Sequence, residues 1–102
     1  MEKEALFEPF PNPYEPAKGQ LRMPFYLTKG GDVTIYIYAS TGDLVRELEV
    51  GTNLLPGRYD RGKLIPLWDG KNESGKAVAS GTYLCLLKSG FGHDVKRVLL
   101  VR

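Results

Sequence analysis

The residue types that carry most enzyme chemistry are sparse in this chain. There is one histidine, His93, and one cysteine, Cys85, in 102 residues. His93 lies between Gly92 and Asp94, in a stretch that reads as a hairpin turn. A catalytic base and the carboxylate that orients it normally come from separate elements, so this adjacent pair reads as turn chemistry rather than part of a triad. No Gly-x-Ser-x-Gly elbow, P-loop or His-Glu-x-x-His pattern occurs. Cys85 is flanked by Leu84 and Leu86, with no basic neighbour to favour its thiolate, and reads as a small buried hydrophobe. A lone cysteine can neither close an intrachain disulfide nor build a multi-cysteine metal site.

The carboxylates Asp60, Asp69, Glu73 and Asp94 fall in loop-like stretches. A glycosidase would need two of them on opposite walls of a cleft, which a small domain with short loops rarely builds. The oxygen-rich stretch Asp69-Gly70-Lys71-Asn72-Glu73-Ser74-Gly75 invites a calcium reading. It lacks the EF-hand spacing, and Lys71 stands where a ligand belongs. Consecutive turns explain it better: Asp69 and Asn72 accept backbone N–H groups, and Gly70 and Gly75 supply positive φ. No cofactor is expected. Asn72-Glu73-Ser74 matches the N-glycosylation pattern, a three-residue signal of little weight.

The elements that hold these residues are strands. Leu21, Met23, Phe25 and Leu27 alternate with Arg22, Pro24, Tyr26 and Thr28. Pro24 has no amide donor, which places that run at a sheet edge or a bulge. Val33, Ile35 and Ile37 alternate with Thr34, Tyr36 and Tyr38. Further runs cover 43–50, 64–68, 82–88 and 95–101, and a weaker, proline-broken one covers 6–10. Turn signals separate them, among them Lys29-Gly30-Gly31-Asp32, Thr41-Gly42 and the glycines at 90 and 92. No helical periodicity of useful length appears. Seven short antiparallel strands in about 100 residues predict an all-β sandwich of the immunoglobulin or fibronectin-III type, with a barrel as the alternative. Four of the prolines precede Lys18, and residues 1–9 read as a lead-in or linker to a single domain over 10–102.

The strand pattern also predicts an unusual sheet. With Val33, Ile35 and Ile37 inward, Tyr36 and Tyr38 point outward. With Tyr83, Cys85 and Leu87 inward, Leu84 and Leu86 point outward. Leu99 and Val101 oppose Val98 and Leu100 in the same way. A solvated antiparallel sheet should alternate apolar with polar, so a sheet apolar on both faces predicts a covered outer face. A neighbouring domain, a twin subunit or a ligand could cover it. The tyrosines also suit stacking on sugar rings.

Charge excludes other partners. Fourteen basic residues oppose 12 acidic ones for a net charge of +2, too balanced for nucleic acid or an anionic membrane. No apolar run reaches the 18 residues that a spanning helix needs. Met1-Glu2-Lys3-Glu4 is polar with no apolar stretch behind it, so the expectation is a piece of a longer precursor rather than a chain with its own leader.

Trp68-Asp69-Gly70, then Gly75, then Val78-Ala79-Ser80-Gly81-Thr82-Tyr83, resembles the W-D-G-x(4)-G-x-x-V-A-S-G-x-Y pattern of the Ig-like domain of FlgD-type flagellar hook-capping proteins. Related modules include the C-terminal sorting domains of type IX secretion. Asn12-Pro13-Tyr14 is similar to that family's N-P-[FY] opening, Val33-x-Ile35-x-Ile37-Tyr38 to its central strand, and Gly42-x-Leu44-Val45-Arg46-x-Leu48 to its hairpin. The resemblance implies a fibronectin-like sandwich without enzymatic activity, outside the cytoplasm, at the C-terminus of a secreted or surface protein. Trp68 would anchor the core, Gly81 would permit an unusual turn, and Tyr83 would enter the core with its hydroxyl on backbone. The connection from Gly51 to Gly62 exceeds the family's usual loop, which points to an extra hairpin or bulge. The functions to separate are a packing, assembly or secretion-sorting module, a hook-assembly scaffold, and a carbohydrate-binding accessory domain.

Overall fold

The computed structural model describes residues 5, 6, 8–60, 65–90 and 92–102. Nine strands form among them: β1 (Ala5–Leu6), β2 (Leu21–Arg22), β3 (Phe25–Leu27), β4 (Gly31–Ala39), β5 (Leu44–Leu54), β6 (Gly57–Tyr59), β7 (Leu67–Trp68), β8 (Gly81–Ser89) and β9 (Gly92–Leu100). One turn of 3-10 helix spans Pro16–Lys18. Sheet orders are β5-β4-β8-β9, β1-β3-β6 and β2-β7, and these strand pairs are all antiparallel. The architecture is all-β and fits an immunoglobulin- or fibronectin-III-like sandwich.

Nine strands replace the expected seven because one run divides and one connection adds a strand. The run from Leu21 to Thr28 breaks at Pro24. Before it, Leu21 pairs with Trp68; after it, Phe25 pairs with both Leu6 and Tyr59. Proline cannot continue a ladder, and here the chain uses that point to change partners. The long connection from Gly51, expected to hold an extra hairpin or bulge, does carry a bulge, and it is largely strand: β5 runs on to Leu54, and β6 follows. Its register with β4 shifts between Val33↔Gly51 and Gly31↔Leu54, and Asn53 takes a positive φ of 52°. A bulged strand can therefore carry residues that read as a turn. Gly62 and Leu64 lie outside the described residues, and only Leu67–Trp68 of the 64–68 run is strand. His93 is also corrected: it sits in β9 opposite Lys88, not in a turn.

The core lies between the layers. β4 contributes Val33, Ile35 and Ile37, β8 contributes Tyr83, Cys85 and Leu87, and β9 contributes Val98 and Leu100. Leu21, Met23, Phe25 and Leu27 face them, all four fully buried despite the break at Pro24. Phe25 stacks on Tyr59 at 4.7 Å between ring centroids. Trp68, also fully buried, meets Tyr83 edge-on at 5.5 Å and Tyr14 at 6.0 Å.

The stretch before residue 10 joins this core. Leu6 is buried, pairs with Phe25, and its amide donates to Asp94 Oδ2 at 2.8 Å. Glu8 lies 3.5 Å from Lys96. Further on, Tyr14 forms a parallel bridge to Leu100, with Tyr14 N donating to Leu99 O and Val101 N donating to Tyr14 O. Asn12 accepts from Leu99 N through Oδ1. The Asn12-Pro13-Tyr14 segment thus lies along the outer edge of β9.

Candidate interaction face

The tryptophan-to-tyrosine motif builds a rigid corner. Trp68 Nε1 donates to Lys71 O at 2.9 Å, so the buried indole has its one polar atom satisfied. Asp69 Oδ1 accepts from Lys71 N, and Asn72 Oδ1 accepts from Ser74 N and Lys76 N. Gly70 and Gly75 take φ of 76° and 80°. A side chain at Gly70 would in addition lie 3.0 Å from Pro16. Gly81 opens β8 at φ 157°, where other residues rarely sit. Tyr83, near the start of β8, donates its hydroxyl to Ala79 O at 2.6 Å, four residues upstream, in the manner of a tyrosine corner.

Two arginines that sequence reading did not single out hold this corner. Arg46 reaches from β5 to Asp69 at 3.4 Å and Glu73 at 3.5 Å. Both carboxylates of the supposed calcium loop therefore face a guanidinium, which supplies the positive charge an ion would bring. Among the described residues no three His, Cys, Asp or Glu side chains converge as a metal site. Arg102 donates through Nη2 to Gly70 O at 2.8 Å and through Nε to Val78 O, while its amide donates to Ser80 Oγ. These arginines are far from the loop in sequence, so local patterns carry no sign of the contacts.

The remaining candidates for chemistry are dispersed. Cys85 is buried, and that burial pushes its thiol up to about 12, away from nucleophilic use. Tyr14 is likewise raised above its ordinary value by burial; its hydroxyl donates toward Gly19 O and Trp68 O at 2.9 and 3.0 Å. Asp94 holds the Leu6 amide, and His93 is exposed on the opposite side of β9. They do not form a pair.

The residues singled out from strand alternation do come together. Directly paired residues in an antiparallel sheet project from the same face. One rung of the outer face reads Glu47, Tyr36, Leu86, Val95, and the next reads Leu44, Tyr38, Leu84, Arg97. Leu99 pairs with Thr82 on the rung beyond, and Val101 follows with the same parity just past β9. The Tyr36 and Tyr38 rings lie 6.3 Å apart. Tyr36, Tyr38, Leu84 and Leu86 are half-buried, largely by one another's strands, whereas Leu44, Val95, Leu99 and Val101 are 50%, 45%, 44% and 39% exposed. Leu44 and Val95 widen the patch beyond the residues read from sequence. Register could have found Val95, which has the parity of Leu99. Leu44 was hidden by the shift between Ile37↔Arg46 and Tyr38↔Leu44.

The chain matches no protein-family model and no curated protein. Solved structures to which it is similar include two of known setting. One is PorZ, described as an essential bacterial surface component of the type IX secretion system of Porphyromonas gingivalis, at 20% identity and a TM-score of 0.61. The other is FlgD from P. aeruginosa, at 16% identity and a TM-score of 0.62. Each likeness covers 96% of this chain, but only 12% of the PorZ chain and 64% of the FlgD chain. At such identities the shared property is the fold, and at that level the FlgD-type and type IX-related resemblance carried by the Trp68–Tyr83 motif holds.

Proposed function

We propose that this chain is a non-catalytic Ig-like module, C-terminal in a larger bacterial secreted or surface protein. It acts in packing and assembly through the outer face of the β5-β4-β8-β9 sheet. Its strands fit an immunoglobulin- or fibronectin-III-like sandwich, with sheets β1-β3-β6, β2-β7 and β5-β4-β8-β9. The observation that carries the reading is the apolar centre of that outer face. Tyr36, Tyr38, Leu84 and Leu86 form two adjacent rungs, flanked by exposed Leu44, Val95 and Leu99. Contiguous apolar surface on a sheet marks a place that another surface covers. The fold likeness to a surface secretion component and to FlgD supports the setting, since in both the matched part belongs to a longer chain.

Leu84→Lys and Leu99→Lys test the reading, because both side chains lie outside the core. The variants should keep the circular dichroism spectrum of the unmodified chain. In the intact protein that carries this module they should loosen its packing, seen as faster hydrogen exchange across β4 and β8. Unchanged exchange, solubility and oligomeric state in both the module and the intact protein defeat the proposal.

A further inference from the structure

The outer face is divided by charge as well as by polarity. Its β5 margin carries Glu47 and Glu49, and its β9 margin carries Arg97, with His93 alongside; all four are exposed. Between the margins run Tyr36 and Tyr38 of β4 and Leu84 and Leu86 of β8, paired Tyr36↔Leu86 and Tyr38↔Leu84. Strands lie about 4.8 Å apart, so the two margins are separated by roughly 14 Å. Glu47 and Arg97 of one chain therefore cannot pair with each other. One side of the face is acidic, the other carries the Arg97 charge, and the middle sets large rings beside smaller aliphatic groups, with exposed Lys88 of β8 on the rung of Glu49.

From this pattern we infer that the face binds a second copy of this chain, with the twofold axis parallel to the strands and between β4 and β8. This rests on the packing role proposed above and names its partner. A twofold interface joins the same patch on both subunits. With the axis along the strands, β5 of one copy lies over β9 of the other, and β4 over β8. Each rung keeps its height under this rotation, so Glu47 lies over Val95 of the second copy with Arg97 one rung (about 7 Å) along, twice by symmetry, and the tyrosines of each β4 lie over the leucines of the opposite β8. With the axis across the strands, β5 would oppose β5 and set Glu47 and Glu49 against their own copies. Like charges in that position oppose association, so the charge pattern selects the first arrangement. Aligned sheets pack about 10 Å apart, and with the one-rung offset the two backbones stand about 12 Å apart, within the combined reach of an extended glutamate and an extended arginine.

Four strands by about eight residues cover roughly 19 Å by 27 Å, or about 500 Å² per copy and 1,000 Å² in all. That is the low end of specific interfaces, where weak and transient associations lie, so the expected dimer is reversible.

Sedimentation velocity on the 102-residue chain, from about 1 µM to about 1 mM, reads this directly. The unmodified chain should pass from monomer to dimer in that range. Glu47→Lys and Arg97→Glu should each raise Kd about tenfold or more, and the variant carrying both should return to within about threefold of the original, because the reversed charges meet again across the axis. Leu86→Lys should leave a monomer. A chain that stays monomeric at 1 mM overturns the inference while leaving the packing role to be decided by the Leu84→Lys and Leu99→Lys experiment in the intact protein. A dimer indifferent to Leu86→Lys, or one tightened by Glu47→Lys, overturns it as well.

Discussion

Leu6→Ala separates a lead-in from a piece of the fold. If residues 1–9 merely linked one domain to another, the substitution would change stability by no more than about 0.5 kcal/mol, as at most surface positions. The structure gives Leu6 1% exposure, a place in β1 opposite Phe25, and a share in the core. The change removes three carbon atoms. At about 0.8 kcal/mol per buried methylene this costs roughly 2.4 kcal/mol. A residual cavity raises the figure toward 3–4 kcal/mol. For a domain of this size that lowers Tm by at least about 10 °C. Urea unfolding followed by Trp68 fluorescence measures the effect, with Leu55→Ala, at a position 75% exposed, as the control expected within about 0.5 kcal/mol. A Leu6→Ala variant as stable as that control refutes the reasoning, because a fully packed leucine cannot be removed at no cost.

Two further outcomes follow from buried hydroxyl and thiol groups. Tyr14→Phe takes away the donor shared by Gly19 O and Trp68 O and should destabilise by about 1–2 kcal/mol in the same urea assay; an unchanged midpoint would mean these carbonyls do not need it. The Cys85 thiol titrates at 9.0 when exposed and at about 12 in the fold. The folded pKa is the higher one, so the stabilisation is complete below pH 9. It is then lost progressively as pH rises from 9 toward 12. Unfolding free energies between pH 8 and 11 should fall steeply for the unmodified chain and less steeply for Cys85→Ala, and equal slopes would contradict this.

What could be read from the sequence depended on range. Val33, Ile35 and Ile37 against Tyr36 and Tyr38 is a local period-two signal, and both the inward and the outward sets lie where alternation puts them. The turn residues Asp69, Gly70, Asn72 and Gly75 likewise announce their geometry through their own side chains and φ values. The Gly51-Thr52-Asn53 stretch reads as connection because a bulged strand tolerates residues that elsewhere end one, while the length of the 51–62 segment signals the bulge. Leu6 was hidden among prolines, since its burial depends on Phe25 and Asp94, distant in sequence. The same holds for Arg46 and Arg102, whose long side chains bind a loop that no spacing rule ties to them. The outer face was legible as a set of residues, but its division into acidic and basic margins needed the strand order.

Glu73 bears on whether another strand can add to the border of this sheet. Its amide donates to Val45 O and its carboxylate accepts from Glu47 N, so one residue occupies both a carbonyl and an amide on the open side of β5. At the opposite border of the same sheet, Asn12 and Tyr14 occupy the backbone of Leu99 and Val101. What is left on β5 is a short stretch around Glu49–Thr52, charged at one end and kinked by its register shifts. Lateral strand addition, the route by which exposed sheets polymerise, is thus obstructed on both sides. With its borders occupied, the sheet offers its broad surface rather than its edges for contact.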